Sequence, residues 1–268
     1  MIHGRTYEQG FSGEINYKII KDISYYPDSI PIDDYMARRC KLDIRYPVNT
    51  KSFATLIWFH GGGLKAGEKE FPEELLSFNL CLVSVNYRLS PKAKAPSYLE
   101  DAAAAVAWVF NHIEQYGGDT GKIFVSGHSA GGYLTTMVGL DKRWLRTFGI
   151  DANKIAGLIP LSGQTVTHTT IREERELPKT QIVVDEYAPL NHIRNDAPPL
   201  LLITGDRYLD IPGRYEENLL LKRMMEADGH KEIQLYEMQG YGHMMLKPAF
   251  PLLIKEIGRI CDISDEEK

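Results

Sequence analysis

Apolar and polar positions follow two rhythms along this chain. In CKLDIRY (40–46), Cys40, Leu42, Ile44 and Tyr46 alternate with Lys41, Asp43 and Arg45, the period of a half-buried strand. From residue 54 onward the apolar runs are short and unbroken: ATLIWF (54–59), LCLVSVNY (80–87), KIFVSG (122–127), IAGLIPL (155–161), PLLLIT (199–204) and IQLYEM (233–238). Parallel strands covered by helices on both faces read this way. A further strand is expected over 14–27, and YPDSIPIDDYMARR (26–39), with two prolines, reads as a turn.

Helical stretches lie between the runs. The clearest is 97–114, rich in Ala and opened by Ser97 with Glu100 and Asp101 in its first turn. Another is 214–228, closed by Gly229, and the last covers about 250–261. This alternation predicts one α/β domain over 1–268, a mostly parallel eight-stranded sheet flanked by helices. The connection after the sixth strand, about 162–198, is long and includes the polar stretch THTTIREERELPKT. It is expected to form a small lid insertion over the carboxyl ends of the strands, where open α/β sheets bind ligands.

Hydrophobic residues at 43% and charged ones at 25% exclude disorder as the main state. A net charge of −5 lacks the electrostatic footprint of a nucleic-acid binder. No apolar run approaches the ~20 residues of a membrane span. The opening MIHGRTYEQG has no apolar leader core, so a cytoplasmic protein is expected. Cys40, Cys81 and Cys261 are expected to be reduced thiols; no cysteine pair has metal spacing, and no metal is expected. Homo-oligomerisation stays open.

The sharpest motif is VSGHSAGG (125–132), where Gly127-His128-Ser129-Ala130-Gly131 fits G-x-S-x-G between an apolar strand and a helix-like run. The glycines make room for a strained turn that exposes Ser129 at a helix N-terminus, so Ser129 is the expected nucleophile. His60-Gly61-Gly62-Gly63 follows a buried strand and fits an oxyanion-hole loop. The amides of Gly62, Gly63 and Ala130 are its expected donors, with His60 in a structural role. A serine nucleophile needs a base, and the base needs an acid, in the chain order Ser, acid, His. Of the later histidines (His168, His192, His230, His243), His243 in GYGHMM follows a strand directly and is the expected base. Asp206, at the end of PLLLIT, is the preferred acid, and Asp210, four residues on, is its rival.

Taken together, HGGG (60–63), VNYRLSP (85–91), LED (99–101), YGGDTGKI (116–123), GHSAGG (127–132), GD (205–206) and GH (242–243) resemble the α/β-hydrolase family. Within it they are similar to the hormone-sensitive-lipase-like esterases. APLNHI (188–193) is similar to a segment of bacterial feruloyl and acetyl xylan esterases, and kynurenine formamidases form another similar branch. The resemblance implies the α/β-hydrolase fold, a Ser129–Asp206–His243 triad, no cofactor, and hydrolysis of a small-molecule ester; the few aromatics and the Thr and charged residues of the lid suit short acyl groups, acetyl first, with a carbohydrate alcohol as one option. The chain departs from the pattern in having only about 50 residues before the HGGG strand and in carrying DRYLD in place of DPLxD. Amide or formamide hydrolysis and a non-catalytic binding role on the same scaffold are the alternatives.

Overall fold

Two antiparallel strands at one edge lead into six parallel ones in the computed structural model, which describes residues 15–266. Residues 1–10, where the leader was sought, and the first residue of the strand expected over 14–27 lie outside the described residues. The strands are β1 (Tyr17–Ser24), β2 (Lys41–Pro47), β3 (Phe53–Phe59), β4 (Cys81–Val85), β5 (Gly118–His128), β6 (Gly157–Leu161), β7 (Leu200–Gly205) and β8 (Ile233–Met238). Their order is β1-β2-β4-β3-β5-β6-β7-β8, with every neighbouring pair from β4 to β8 parallel.

The unbroken apolar runs are explained by burial on two faces. In β3, Ile57 and Phe59 pack on one side with Tyr133, Leu134 and Met137 of α3 (Ala130–Leu140) and with the Ala102–Ala105 run of α2 (Ser97–Tyr116). Leu56 and Trp58 pack on the other side with Ala249, Phe250 and Leu253 of the C-terminal helix, which spans Leu246–Glu266. Four consecutive alanines in α2 let its backbone approach the sheet closely while presenting little side-chain entropy to lose.

Three local readings differ from the structure. The proline-bearing segment before β2 contains a six-residue helix, α1 (Asp34–Arg39), because the Asp33 carboxylate accepts the Met36 amide at 2.7 Å and caps it. β5 begins at Gly118, within a polar stretch that periodicity passes over. The C-terminal helix starts at Leu246 rather than near 250. Gly229, with φ +98°, closes the helix Arg214–Asp228 as expected. Cys40 and Cys81 are buried, and burial pushes the Cys40 thiol up to about 12.

The β6–β7 connection holds a short helix, Thr169–Glu174, and a single 3-10 turn, Pro189–Asn191. Its first part is polar in sequence yet buried from Ser162 to His168. The buried Arg172 guanidinium organises it, donating to the carbonyls of Thr167 and Lys179 at 3.1 and 2.8 Å and to that of Gln181. Among the described residues, no helix is long and apolar enough to cross a membrane.

Candidate active site

Adjacent parallel strands deliver their carboxyl ends to one place. The loop after β3 carries His60–Gly63, the turn after β5 carries Ser129, and the loops after β6, β7 and β8 carry Ser162, Asp210 and His243.

Ser129 has φ +56° and ψ −112°, a strained conformation for a residue with a side chain. The turn is held because its amide donates to the Leu161 carbonyl at 2.8 Å. A Cβ on Gly131 would lie 2.0 Å from the Phe59 carbonyl oxygen, so only glycine lets the helix start this close to β3. Ala130 is the first residue of α3, and helix geometry leaves its N–H without an intrahelical partner. In the facing loop, Gly62 has φ +104°, and a Cβ there would meet the Ala66 carbonyl oxygen at 2.1 Å. The carbonyls of this loop are engaged: Gly62 accepts from the amides of Lys65 and Ala66, both at 3.0 Å, and Gly63 accepts from the Thr170 hydroxyl at 2.5 Å. Among the described residues, no hydrogen bond is made by the amides of Gly62, Gly63 or Ala130.

His60 plays the structural part expected of it. Arg39 donates to its Nε2 at 3.2 Å, so Nδ1 carries the proton and donates to the Gly61 carbonyl at 2.7 Å. The ring stacks on Tyr87 at 4.4 Å, and burial pushes it down to about 4, leaving it neutral. VNYRLSP and LED, two motifs apart in sequence, meet through Arg88, which forks onto the fully buried Asp101 at 2.7–3.0 Å.

His243 Nε2 lies 2.9 Å from Ser129 Oγ. On its other side, Nδ1 lies 2.7 Å from Oδ1 of Asp210, not of Asp206. A carboxylate can only accept, so Nδ1 carries the proton and Nε2 is left to accept from the Ser129 hydroxyl. Asp210 also accepts from Ser162 Oγ at 2.7 Å, from the Gly205 amide at 2.9 Å and from the Ile211 amide at 2.7 Å. Burial alone would raise its pKa; the hydrogen bonds from His243, Ser162 and Ile211 outweigh that and hold it well below the usual carboxylate range.

Proximity to the strand end therefore picks the aspartate that does not contact His243. The chain after Gly205 folds back on itself, with the amides of Leu209 and Asp210 donating to the Asp206 carbonyl at 2.9 and 2.8 Å. That turn returns Asp210 to the strand end and aims Asp206 elsewhere. The Asp206 carboxylate accepts the amides of Tyr208 and Gly240, each at 2.9 Å. Its own amide donates to the Tyr241 carbonyl at 2.7 Å. Asp206 thus ties down the loop that carries His243 without touching the imidazole. The signal for Asp210 was the second aspartate of DRYLD, one turn further on.

Two residues near the imidazole were not singled out in sequence. Ser162, with φ +47° and fully buried, donates to Asp210 and lies 3.0 Å from His243 Nδ1. His128, the variable residue of the elbow, donates from Nε2 to the His243 carbonyl at 2.8 Å and lies 4.7 Å from its ring. Burial, followed by the neighbouring His243, pushes His128 down to about 4.

Ser129 and Gly63 border two clefts. One, about 650 Å³, is walled by the β6–β7 connection and the start of the helix after β7, through residues such as Gln164, His168, Arg172 and Arg214. The other, about 490 Å³, is lined by the glycine loop with Trp58, His128, Met244 and Leu246. Among the described residues, no group of three or more His, Cys, Asp or Glu side chains is placed to hold a metal ion.

The family BD-FAE matches residues 42–193, more than half of the chain, from β2 through the elbow into the β6–β7 connection. The chain belongs to the BD-FAE family. It is 31% identical over 208 residues to the probable carboxylic ester hydrolase LipM of Mycobacterium tuberculosis, an alignment covering 69% of this chain and 47% of that protein. The chain spans about half the length of the named relatives it matches first. Its fold is similar to a truncated carbohydrate esterase from gut microbiota, with TM-score 0.67 and 21% identity, covering 86% of this chain and 91% of the other. It is also similar to esterase 2 of Thermogutta terrifontis phosphoramylated by tabun, with TM-score 0.71 and 19% identity, covering 94% and 97%. These neighbours establish the α/β-hydrolase fold.

Proposed function

We propose that this BD-FAE chain is a serine hydrolase of carboxylic esters. One observation carries the reading: Asp210, His243 and Ser129 form an unbroken hydrogen-bonded line at 2.7 and 2.9 Å, beside a glycine loop and a helix N-terminus. In such a line the imidazole takes the serine proton as Oγ attacks the ester carbonyl. Asp210 keeps the proton on Nδ1 and stabilises the imidazolium that forms. The tetrahedral oxyanion is received by the amides of Gly62, Gly63 and Ala130, one of which alone is worth on the order of 10²–10³ in rate. His243 then protonates the leaving alcohol, and water releases the acid by the same route in reverse. The names of the relatives, carboxylic ester hydrolase and esterase, support this reading.

The substrate is proposed to be a short acyl ester, acetyl first, with a carbohydrate alcohol as one class. The cleft of about 650 Å³ is of small-molecule size, and Gln164, His168, Thr169 and Thr170 set polar groups into a mainly apolar wall. Residues between Gln164 and Ile182 of the β6–β7 connection form one of its walls. A structural neighbour described as a carbohydrate esterase favours the sugar alcohol. Ser129→Ala is expected to abolish turnover of 4-nitrophenyl acetate by folded protein, and undiminished activity overturns the proposal. In a chain-length series, a maximum at butyrate or longer contradicts the acetyl preference. Faster turnover of N-formylkynurenine than of any ester moves the reaction to amides.

A further inference from the structure

The larger cleft carries the opposite charge balance to the protein. The chain as a whole has net charge −5, yet Lys65, Arg172, Lys179 and Arg214 line this cleft against only Glu173 and Glu217. The carboxylates are already engaged. Glu173 pairs with Lys65 and with Lys179, and Glu217 pairs with Arg214 at 2.7 Å. Arg172 is buried and bonds only to carbonyls and one hydroxyl, with no carboxylate at ion-pair distance among the described residues. Carbonyl and hydroxyl dipoles, not a carboxylate, balance its charge beside the cleft.

Three side chains more than nine-tenths buried present unused donors there. Arg214 spends Nε on Glu217 and Nη1 on the Ser162 carbonyl, and Nη2 has no partner among the described residues. Gln164 spends Oε1 on Thr169, leaving its amide NH2. His168 accepts the Thr170 amide on Nδ1, so its proton is on Nε2, which has no partner among the described residues. Burial, reinforced by Arg214 and Arg172, pushes this histidine down to about 3, so it is a neutral donor. The side chains are buried but these donor atoms open on the cleft, and such a donor set is matched by a ligand that accepts.

We propose that this cleft binds a carboxylate of the substrate, with the Arg214 guanidinium as its anchor and Gln164 and His168 as supporting donors. Resting on the esterase reading above, this makes the preferred substrate an acidic ester, one bearing a free carboxylate on its acyl or its alcohol part. Arg214 also holds the Ser162 carbonyl, so anchoring the carboxylate there is coupled to the loop that supports Asp210.

The test compares acid and methyl-ester pairs, read by release of the phenol: 4-nitrophenyl hemisuccinate against its methyl ester, and 4-acetoxybenzoate against its methyl ester. At least one acid is expected to exceed its neutral partner by about tenfold or more in kcat/KM, the worth of one charge-assisted contact. Arg214→Gln is expected to bring that ratio near unity, with the neutral ester reporting any general damage to the site. Neutral esters that equal or outpace both acids in the wild type overturn the anion site and leave the esterase reading intact. No turnover of any of the four overturns the esterase reading. The anion site is then read from Ser129→Ala by calorimetry, where tighter binding of monomethyl succinate than of dimethyl succinate supports it and equal binding overturns it.

Discussion

Replacing Asp210 by asparagine keeps the shape of the side chain and removes its charge. The wild-type carboxylate accepts from four donors: His243 Nδ1, Ser162 Oγ and the amides of Gly205 and Ile211. An asparagine has one oxygen and one NH2 to place among them. Each carboxylate oxygen holds one backbone amide, Ile211 on Oδ1 beside Nδ1 and Gly205 on Oδ2, so the NH2 meets a backbone N–H in either orientation; set against Nδ1, it selects the imidazole tautomer that accepts there. That tautomer carries its proton on Nε2, pointing at Ser129 Oγ, and cannot take the serine proton. A wrong tautomer in an otherwise intact Ser-His-Asp site costs roughly 10⁴ in kcat, equivalent to about 5.5 kcal/mol of barrier. Asp206→Asn is the matched control, because Asp206 binds only backbone amides and retains an acceptor oxygen after substitution. Its expected cost is within about tenfold, from a looser hold on the His243 loop at Gly240 and roughly 1 kcal/mol of hydrogen bonding. Both variants are assayed for kcat and KM on 4-nitrophenyl acetate, with thermal melts to confirm folding. A larger loss of kcat in Asp206→Asn than in Asp210→Asn refutes the assignment of the acid.

Three further expectations follow from the same geometry. Ser162→Ala removes the hydroxyl that donates to Asp210 Oδ2 and is expected to lower kcat about 10- to 100-fold, as loss of one hydrogen bond to a charged group does; unchanged kcat removes Ser162 from the relay. Gly131→Ala places a Cβ 2.0 Å from the Phe59 carbonyl oxygen and is expected to destabilise the fold by at least the ~1–3 kcal/mol of ordinary overpacking; an unshifted melting temperature contradicts the close approach. Burial leaves His60 and His128 with pKa values near 4 and His168 near 3, against an ordinary 6.5. Below pH 6.5 the unfolded chain takes up protons that the folded chain refuses, so stability is full above that pH and falls as pH drops toward 4. Each contributes a loss of about 2 kcal/mol by pH 5, read as a lower urea midpoint than at pH 7; equal midpoints contradict neutral buried imidazoles.

The sheet was legible because burial on both faces writes itself as unbroken apolar runs such as ATLIWF and PLLLIT. Ser129 and His243 were legible for a related reason: each follows its strand within a few residues, so strand order alone brings them together. Asp210 was harder because its position depends on a reversal of the chain after Gly205, and that reversal rests on backbone hydrogen bonds to Asp206 that leave no mark in composition. The helix Asp34–Arg39 was obscured by the prolines before it and by its six-residue length, too short for periodicity to register. The polar stretch of the β6–β7 connection reads in sequence as a small lid, with no mark of the burial of residues 162–168. The buried Arg172 organises that stretch by gathering the surrounding carbonyls around one charge, a role that hydropathy alone does not reveal.

The most direct measurement is covalent labelling of the intact protein with a fluorophosphonate, followed by peptide mapping of the adduct. A nucleophilic Ser129 activated through His243 predicts a single adduct on the peptide containing Ser129, formed rapidly by the wild type, slowly by Asp210→Asn and not at all by Ser129→Ala. An adduct on another residue, or none on the folded wild-type protein, contradicts a serine hydrolase mechanism at this site.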